Sequence, residues 1–177
     1  MRYNLARDRA RSLLTLTRQR PPVDVDTIIE RAGVPVVERA LGEGVRATVG
    51  YVAGRRSIIV NRRHQISSPG ERRWILAEEL GHVLLDHHLV YSTVPGTSVI
   101  GLQEARRVVY EREARAFAAE LLMPFAEVSR GWFALLRERP AAGELSADER
   151  VRRLADEFGV TPSAMRVRLE HMKLVRQ

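Results

Sequence analysis

Glu78, Glu79 and His82 are the residues of this 177-residue chain whose types and spacing most readily do chemistry. Glu78 and His82 stand four positions apart, so on a helix they share one face about a turn apart, and two such side chains can hold a single ion. Glu79 lies beside them, placed to receive a proton from a water on that ion. This is the spacing of the His-Glu-x-x-His zinc helix, in which the metal lowers the pKa of its water to roughly 7, with glutamate in the first position. Charged helix faces are common and most are solvated, so spacing alone leaves both readings open. Gly81 adds weight. Glycine inside a helix costs about 1 kcal/mol relative to alanine, which points to close packing at that turn.

A second segment, Glu111 to Pro124, contains Glu113, Ala114, Phe117, Ala118 and Leu121. Phe117 and Leu121 predict a buried stripe, and the alanines let another helix approach closely. Glu113 lies one turn before Phe117 on that face, where a carboxylate needs a partner. A salt bridge with an arginine or a place as a third metal ligand would each supply one, and spacing alone favours the salt bridge. Beyond the first motif, Asp86 falls on the better face of an ideal helix, whereas His87 points away unless the helix ends there. Asp86, His87 and His88 read as neighbours of the site or solvent-facing residues rather than ligands.

The elements that must position these groups are legible. Leu5, Ala6, Ala10, Leu13, Leu14 and Thr17 recur at helical spacing, predicting a helix that stops before Pro21-Pro22. Asp24 to Ala32 reads as a short helix closed by Gly33. Strands follow at Val36–Glu38, Ala47–Ala53 and Ser57–Asn61, the last two as an antiparallel hairpin. Ser68, Pro69 and Glu71 predict a capped helix start, with Ser68 and Glu71 forming a capping box, and the helix runs to about Asp86. Leu89 to Gly101 reads as a loop. Helices are predicted over Leu102–Met123 and Phe125–Arg137. Two more follow from Ser146 onward, joined by the turn Gly159-Val160-Thr161. The expected fold is α+β: a small three-stranded antiparallel sheet packed on helices, residues 1–143, followed by a helix-turn-helix-like pair, 144–177.

Composition narrows the chemistry. The chain has no cysteine, so disulfides, thiol nucleophiles and thiolate metal sites are excluded, and any metal falls to histidine and carboxylate. Charged residues near the start and the lack of a long apolar run predict a soluble cytoplasmic protein with no membrane association. The formal net charge is +7, but it rests on scattered arginines, Lys173 being the only lysine. That is a weak hint of an acidic or nucleic-acid partner.

These segments together resemble the ImmA/IrrE family of zincin-like metallo-endopeptidases. The likeness rests on Arg72-Arg73-Trp74-Ile75-Leu76-Ala77-Glu78-Glu79-Leu80-Gly81-His82, on Glu111 through Ala114 and Phe117 to Pro124, on Pro21-Pro22-Val23-Asp24, and on Ile59-Val60-Asn61. It implies Glu79 as general base, His82 as a metal ligand and Glu113 as the ligand from the second helix. The family's first histidine falls on Glu78, where the sequence departs from the pattern. Glu78 with Glu113 would give an ion two carboxylates, so bound water is acidified less than in a two-histidine site, and manganese competes better with zinc. The resemblance further implies a regulator that recognises and cleaves a helix-turn-helix transcriptional repressor. A catalytically silent relative that binds its partner without metal is the alternative. A third reading is a DNA-binding regulator using Val151 to Met172, whose Thr161, Ser163, Arg166 and Arg168 would reach phosphate or base edges. Helix packing or substrate docking explains the same pair and is preferred to DNA binding.

Overall fold

The computed structural model describes residues 2–87, 100–138 and 145–175, with side chains described for 4–87, 106–138 and 145–175. The expected loop Leu89 to Gly101 lies mostly outside them, as does His88. In chain order the elements are α1 (Arg2–Thr17), α2 (Val25–Arg31), β1 (Val36–Arg39), β2 (Ala47–Val52), β3 (Arg55–Asn61), α3 (Pro69–Leu84), α4 (Ile100–Leu122), α5 (Phe125–Arg137), α6 (Ala147–Phe158) and α7 (Pro162–His171).

Side-chain oxygens start four of these helices by accepting a free backbone N–H: Asp24 for α2, Ser68 for α3, Ser146 for α6 and Thr161 for α7. Ser146 and Glu149 form a reciprocal capping box. At α3 the box is displaced. Ser68 Oγ accepts from Glu71 N, but the Glu71 carboxylate takes the N–H and hydroxyl of Ser67 instead of the Ser68 N–H.

The sheet has the order β1-β3-β2. β2 and β3 form the expected antiparallel hairpin, Val52 opposite Arg55. Its turn residues Ala53 and Gly54 both have positive φ, 48° and 74°, as a two-residue turn matched to strand twist requires. β1 departs from expectation: it runs parallel to β3, Val36 opposite Ile58, so the sheet is mixed rather than antiparallel throughout. The reason is the path after β1, which crosses to the far side of β3 before β2 begins and so leaves β1 pointing the same way as β3.

One hydrophobic core joins α1, α2, α3, α4, α5, α6 and α7 to the inner face of β3, with Ile58, Leu76, Leu80, Phe117, Leu121, Leu154, Phe158 and Leu169 buried in it. α3 and α4 make the seam that matters for function. Gly81 lies at its narrowest point: a Cβ there would meet Phe117 Cδ1 at 3.0 Å and the Ala114 backbone at 3.3 Å. The other end of α3 abuts the α6–α7 turn, where Arg73 Nη1 donates to the Gly159 carbonyl at 2.7 Å.

α7 corrects one sequence expectation. Arg168 does not face outward. It is 5% exposed, donates to Met123 O at 3.0 Å and pairs with buried Glu120, which Arg11 of α1 also reaches at 2.8 Å. Burial pushes the Glu120 carboxyl up, but hydrogen bonds from Arg168 and Arg11 win and hold it below the ordinary value. Thr161 is used as the α7 cap, and Arg166 pairs with Asp148. The charges read as phosphate contacts are thus largely spent within the fold.

Candidate functional site

α3 turns its Glu78 and His82 face into the seam with α4, so both side chains are buried, at 5% and 3% exposure. Glu79, on the flank of that face, is partly buried. The two helices run in opposite directions, which sets Glu78 against Arg115 and His82 against Glu111.

Glu78 is held from two sides. Arg46, just ahead of β2, places Nη2 3.1 Å from Oε2, and Arg115 of α4 places Nε 3.0 Å from Oε1. Both oxygens of the carboxylate therefore carry a guanidinium. Sequence reasoning did not single out either arginine, because nothing local marks Arg46 or Arg115 among so many.

His82 Nε2 faces Glu111, with Oε1 at 3.9 Å. Glu113, expected in the metal set, goes elsewhere: its Oε2 lies 2.9 Å from His87 Nε2, and its Oε1 is buried with no hydrogen-bond partner. His87 Nδ1 in turn lies 3.1 Å from His82 Nδ1. The structure thus joins His82, His87 and Glu113 in one buried chain and sets Glu111 opposite the Nε2 of His82.

His87 reaches this position because α3 ends early. Asp86 takes a left-handed conformation, φ 54°, and the chain folds back with Asp86 N on Val83 O at 3.2 Å and His87 N on His82 O at 3.0 Å. This is a Schellman stop with aspartate where glycine is usual. Arg56 of β3 locks it, donating to the carbonyls of His82 at 3.1 Å and His87 at 2.9 Å. Asp86 itself turns outward to Arg56 Nη1 at 2.8 Å, away from the face that helical spacing assigns it.

Electrostatics follow from this crowding. Burial, then the charges of Glu78 and Glu111, push the Glu79 carboxyl up to about 8, against a smaller downward pull from Arg46. Burial also raises Glu111, with Glu78 adding to it. Burial and the neighbouring His87 lower the His82 imidazole to about 4, so the ring is neutral near pH 7.

A catalytic zinc centre needs three protein donors around one open point. This donor set does not fit one. Glu78 has both oxygens occupied by guanidinium groups, whose positive charge opposes a cation at the same place. Glu113 gives Oε2 to His87, which also faces the Nδ1 of His82. Among the described residues no three His, Asp or Glu side chains converge as a metal-binding group.

Two packed helices carrying this acid–histidine cluster beside a small sheet define a zincin-like, metallopeptidase-type domain. The profile of the Peptidase_M78 family, described as the IrrE N-terminal-like domain, matches residues 29–170, and the chain belongs to that family. Among solved structures it is similar to a Mycobacterium tuberculosis transcriptional regulator, with TM-score 0.63 and 20% identity, over 94% of this chain and 46% of that one. The chain thus spans just under half the length of that regulator, and at this identity the likeness is one of fold. No protein with a curated description matches. No helix among the described residues is long and apolar enough to cross a membrane.

Proposed function

We propose that this chain is a zincin-fold regulatory module that recognises a helix-turn-helix transcriptional repressor and acts by binding it, without metal-dependent cleavage. One observation carries the reading: Glu78, at the position to which the family resemblance assigns the first metal-binding histidine, is neutralised by Arg46 and Arg115 at 3.1 and 3.0 Å. Arginine neutralisation removes the need for a cation, and it keeps α3 and α4 together as a bridging metal would. The edge strand β2 packs on α3, the helix that carries Glu78, Glu79 and His82. An edge strand supports partner recognition because it can take an extended segment by main-chain hydrogen bonding. The transcriptional class of the partner rests on the family resemblance.

The test is binding of purified helix-turn-helix repressors to the full chain, with and without a chelator, followed by intact-mass measurement of both proteins. The expected result is a chelator-resistant complex with both masses unchanged. Chelator-sensitive fragmentation of the repressor, abolished in Glu79→Gln, would return the metallo-endopeptidase alternative, with Glu79 as base and Glu78, His82 and Glu113 around zinc or manganese. Steeply salt-dependent binding of DNA by the chain alone would favour the DNA-binding alternative.

A further inference from the structure

α5 leaves one apolar flank open. Its side chains Val128, Trp132 and Leu135 are buried, and α6 packs on the flank beside them, where a Cβ at Gly131 would meet Leu154 Cδ1 at 2.7 Å. The flank away from α6 carries Phe125, Ser129, Phe133 and Leu136, whose spacing aligns them along the helix. Phe125, Phe133 and Leu136 are 51%, 48% and 44% exposed. A surface helix ordinarily turns polar residues to solvent. Of the seven residues that α5 exposes, five are apolar, and the other two are Arg130 and Arg137. These arginines stand three residues before and four after Phe133, so both neighbour it on the helix surface. Neither makes an ion pair among the described residues. The nearby acids are turned elsewhere: Glu138 pairs with Arg153 of α6 at 2.8 Å, and Glu127 and Glu157 line a groove on the α6 side.

We propose that this flank of α5 is a docking surface for an amphipathic helix of a partner protein, one whose apolar stripe is bordered by carboxylates. Two aromatic anchors and a leucine in line are what such a helix packs against. The unpaired charges beside them are both positive, which sets the sign of the partner's border. A nucleic-acid backbone would answer the arginines and leave both phenylalanines in water. Half of each aromatic side chain is about 100 Å² of open surface, so the stripe offers on the order of 250 Å². A stable dimer takes roughly 800 Å² from each partner, which a single helix does not need and a second copy of this chain does. The surface lies on α5, apart from the α3–α4 seam and from β2, so it does not rest on the reading of Glu78.

The experiment selects a displayed library of amphipathic helical peptides, each with one leucine stripe bordered by glutamate, serine or lysine, against the full chain. Glutamate borders should be enriched. The selected peptide, resynthesised, should bind Phe133→Ser about tenfold more weakly. It should bind Leu16→Ser, at an 81% exposed position on α1, as it binds wild type. Charge reversal by Arg130→Glu with Arg137→Glu should turn the enrichment to lysine borders. No enrichment, indifference to the border charge, or equal binding by Phe133→Ser would overturn the proposal. So would self-association of the chain, or its binding to anionic vesicles, that Phe133→Ser abolishes, since either gives the stripe another occupant. Should Phe133→Ser not fold, the charge-reversed variant, altered at two exposed positions, decides alone.

Discussion

Removing Arg46 and Arg115 tests the neutralisation of Glu78 through stability. The Glu78 side chain is 6% exposed, whereas Arg46 and Arg115 are 41% and 59% exposed. Half-exposed guanidinium groups are screened, and either one left in place still compensates the carboxylate. Arg46→Ala or Arg115→Ala alone should therefore cost about 1 kcal/mol, the upper end for a surface ion pair. Removing both leaves a buried carboxylate uncompensated, a loss of about 3–5 kcal/mol. The two losses should thus be more than additive, by roughly 1–3 kcal/mol. Urea unfolding followed by circular dichroism at pH 8 gives each value by linear extrapolation. A neutral side chain needs no counter-charge, so adding Glu78→Gln to the double variant should recover most of the loss. The reasoning fails if the double variant stays within about 1 kcal/mol of wild type, or if Glu78→Gln recovers nothing.

Three further outcomes follow. Arg168→Ala strands Glu120 with Arg11 alone and should cost about 3–5 kcal/mol in urea unfolding; because the Glu120 carboxyl is held low, its share of stability is present above the unfolded carboxyl's pKa and fades as pH falls through the lower folded value. Glu79 sits at about 8 in the fold against an ordinary 4.5, so the folded state holds this proton more tightly and stability declines as pH rises through 8. Glu79→Gln should then raise the Tm relative to wild type more at pH 9 than at pH 5, and equal differences at both would contradict the buried acid. Gly81→Ala should destabilise by about 1–3 kcal/mol despite alanine's better helix propensity, because its Cβ would press on the Ala114 backbone at 3.3 Å; a more stable variant on thermal unfolding would show that the seam yields.

What could be read from the sequence is what local chemistry decides. Asp24, Ser68 and Ser146 begin helices, Gly33 closes one, Gly159 turns the chain between the last two, and Gly81 marks the helix seam. Three of the misreadings share a cause: each depends on a partner far away in the chain. The parallel pairing of β1 with β3 depends on how the intervening segment crosses the sheet. Arg168 reads as an outward charge until Glu120 of α4 is seen beneath it. Glu113 and Glu111 are two positions apart on one helix, so only the register with α3 decides which faces the Nε2 of His82. His87 is a local case: on an ideal helix it points away, and Asp86 gives a weaker stop signal than glycine for the early helix end that brings it in. Of the site, the α3 cluster of Glu78, Glu79 and His82 was legible, while the arginines on Glu78 and the histidine against His82 were not.

Zinc titration of the metal-stripped, full-length chain at neutral pH, followed by dialysis and elemental analysis, addresses the central claim directly. With Glu78 already neutralised by Arg46 and Arg115, the protein should retain no stoichiometric zinc after dialysis. One retained zinc per chain, lost in His82→Ala, would contradict it.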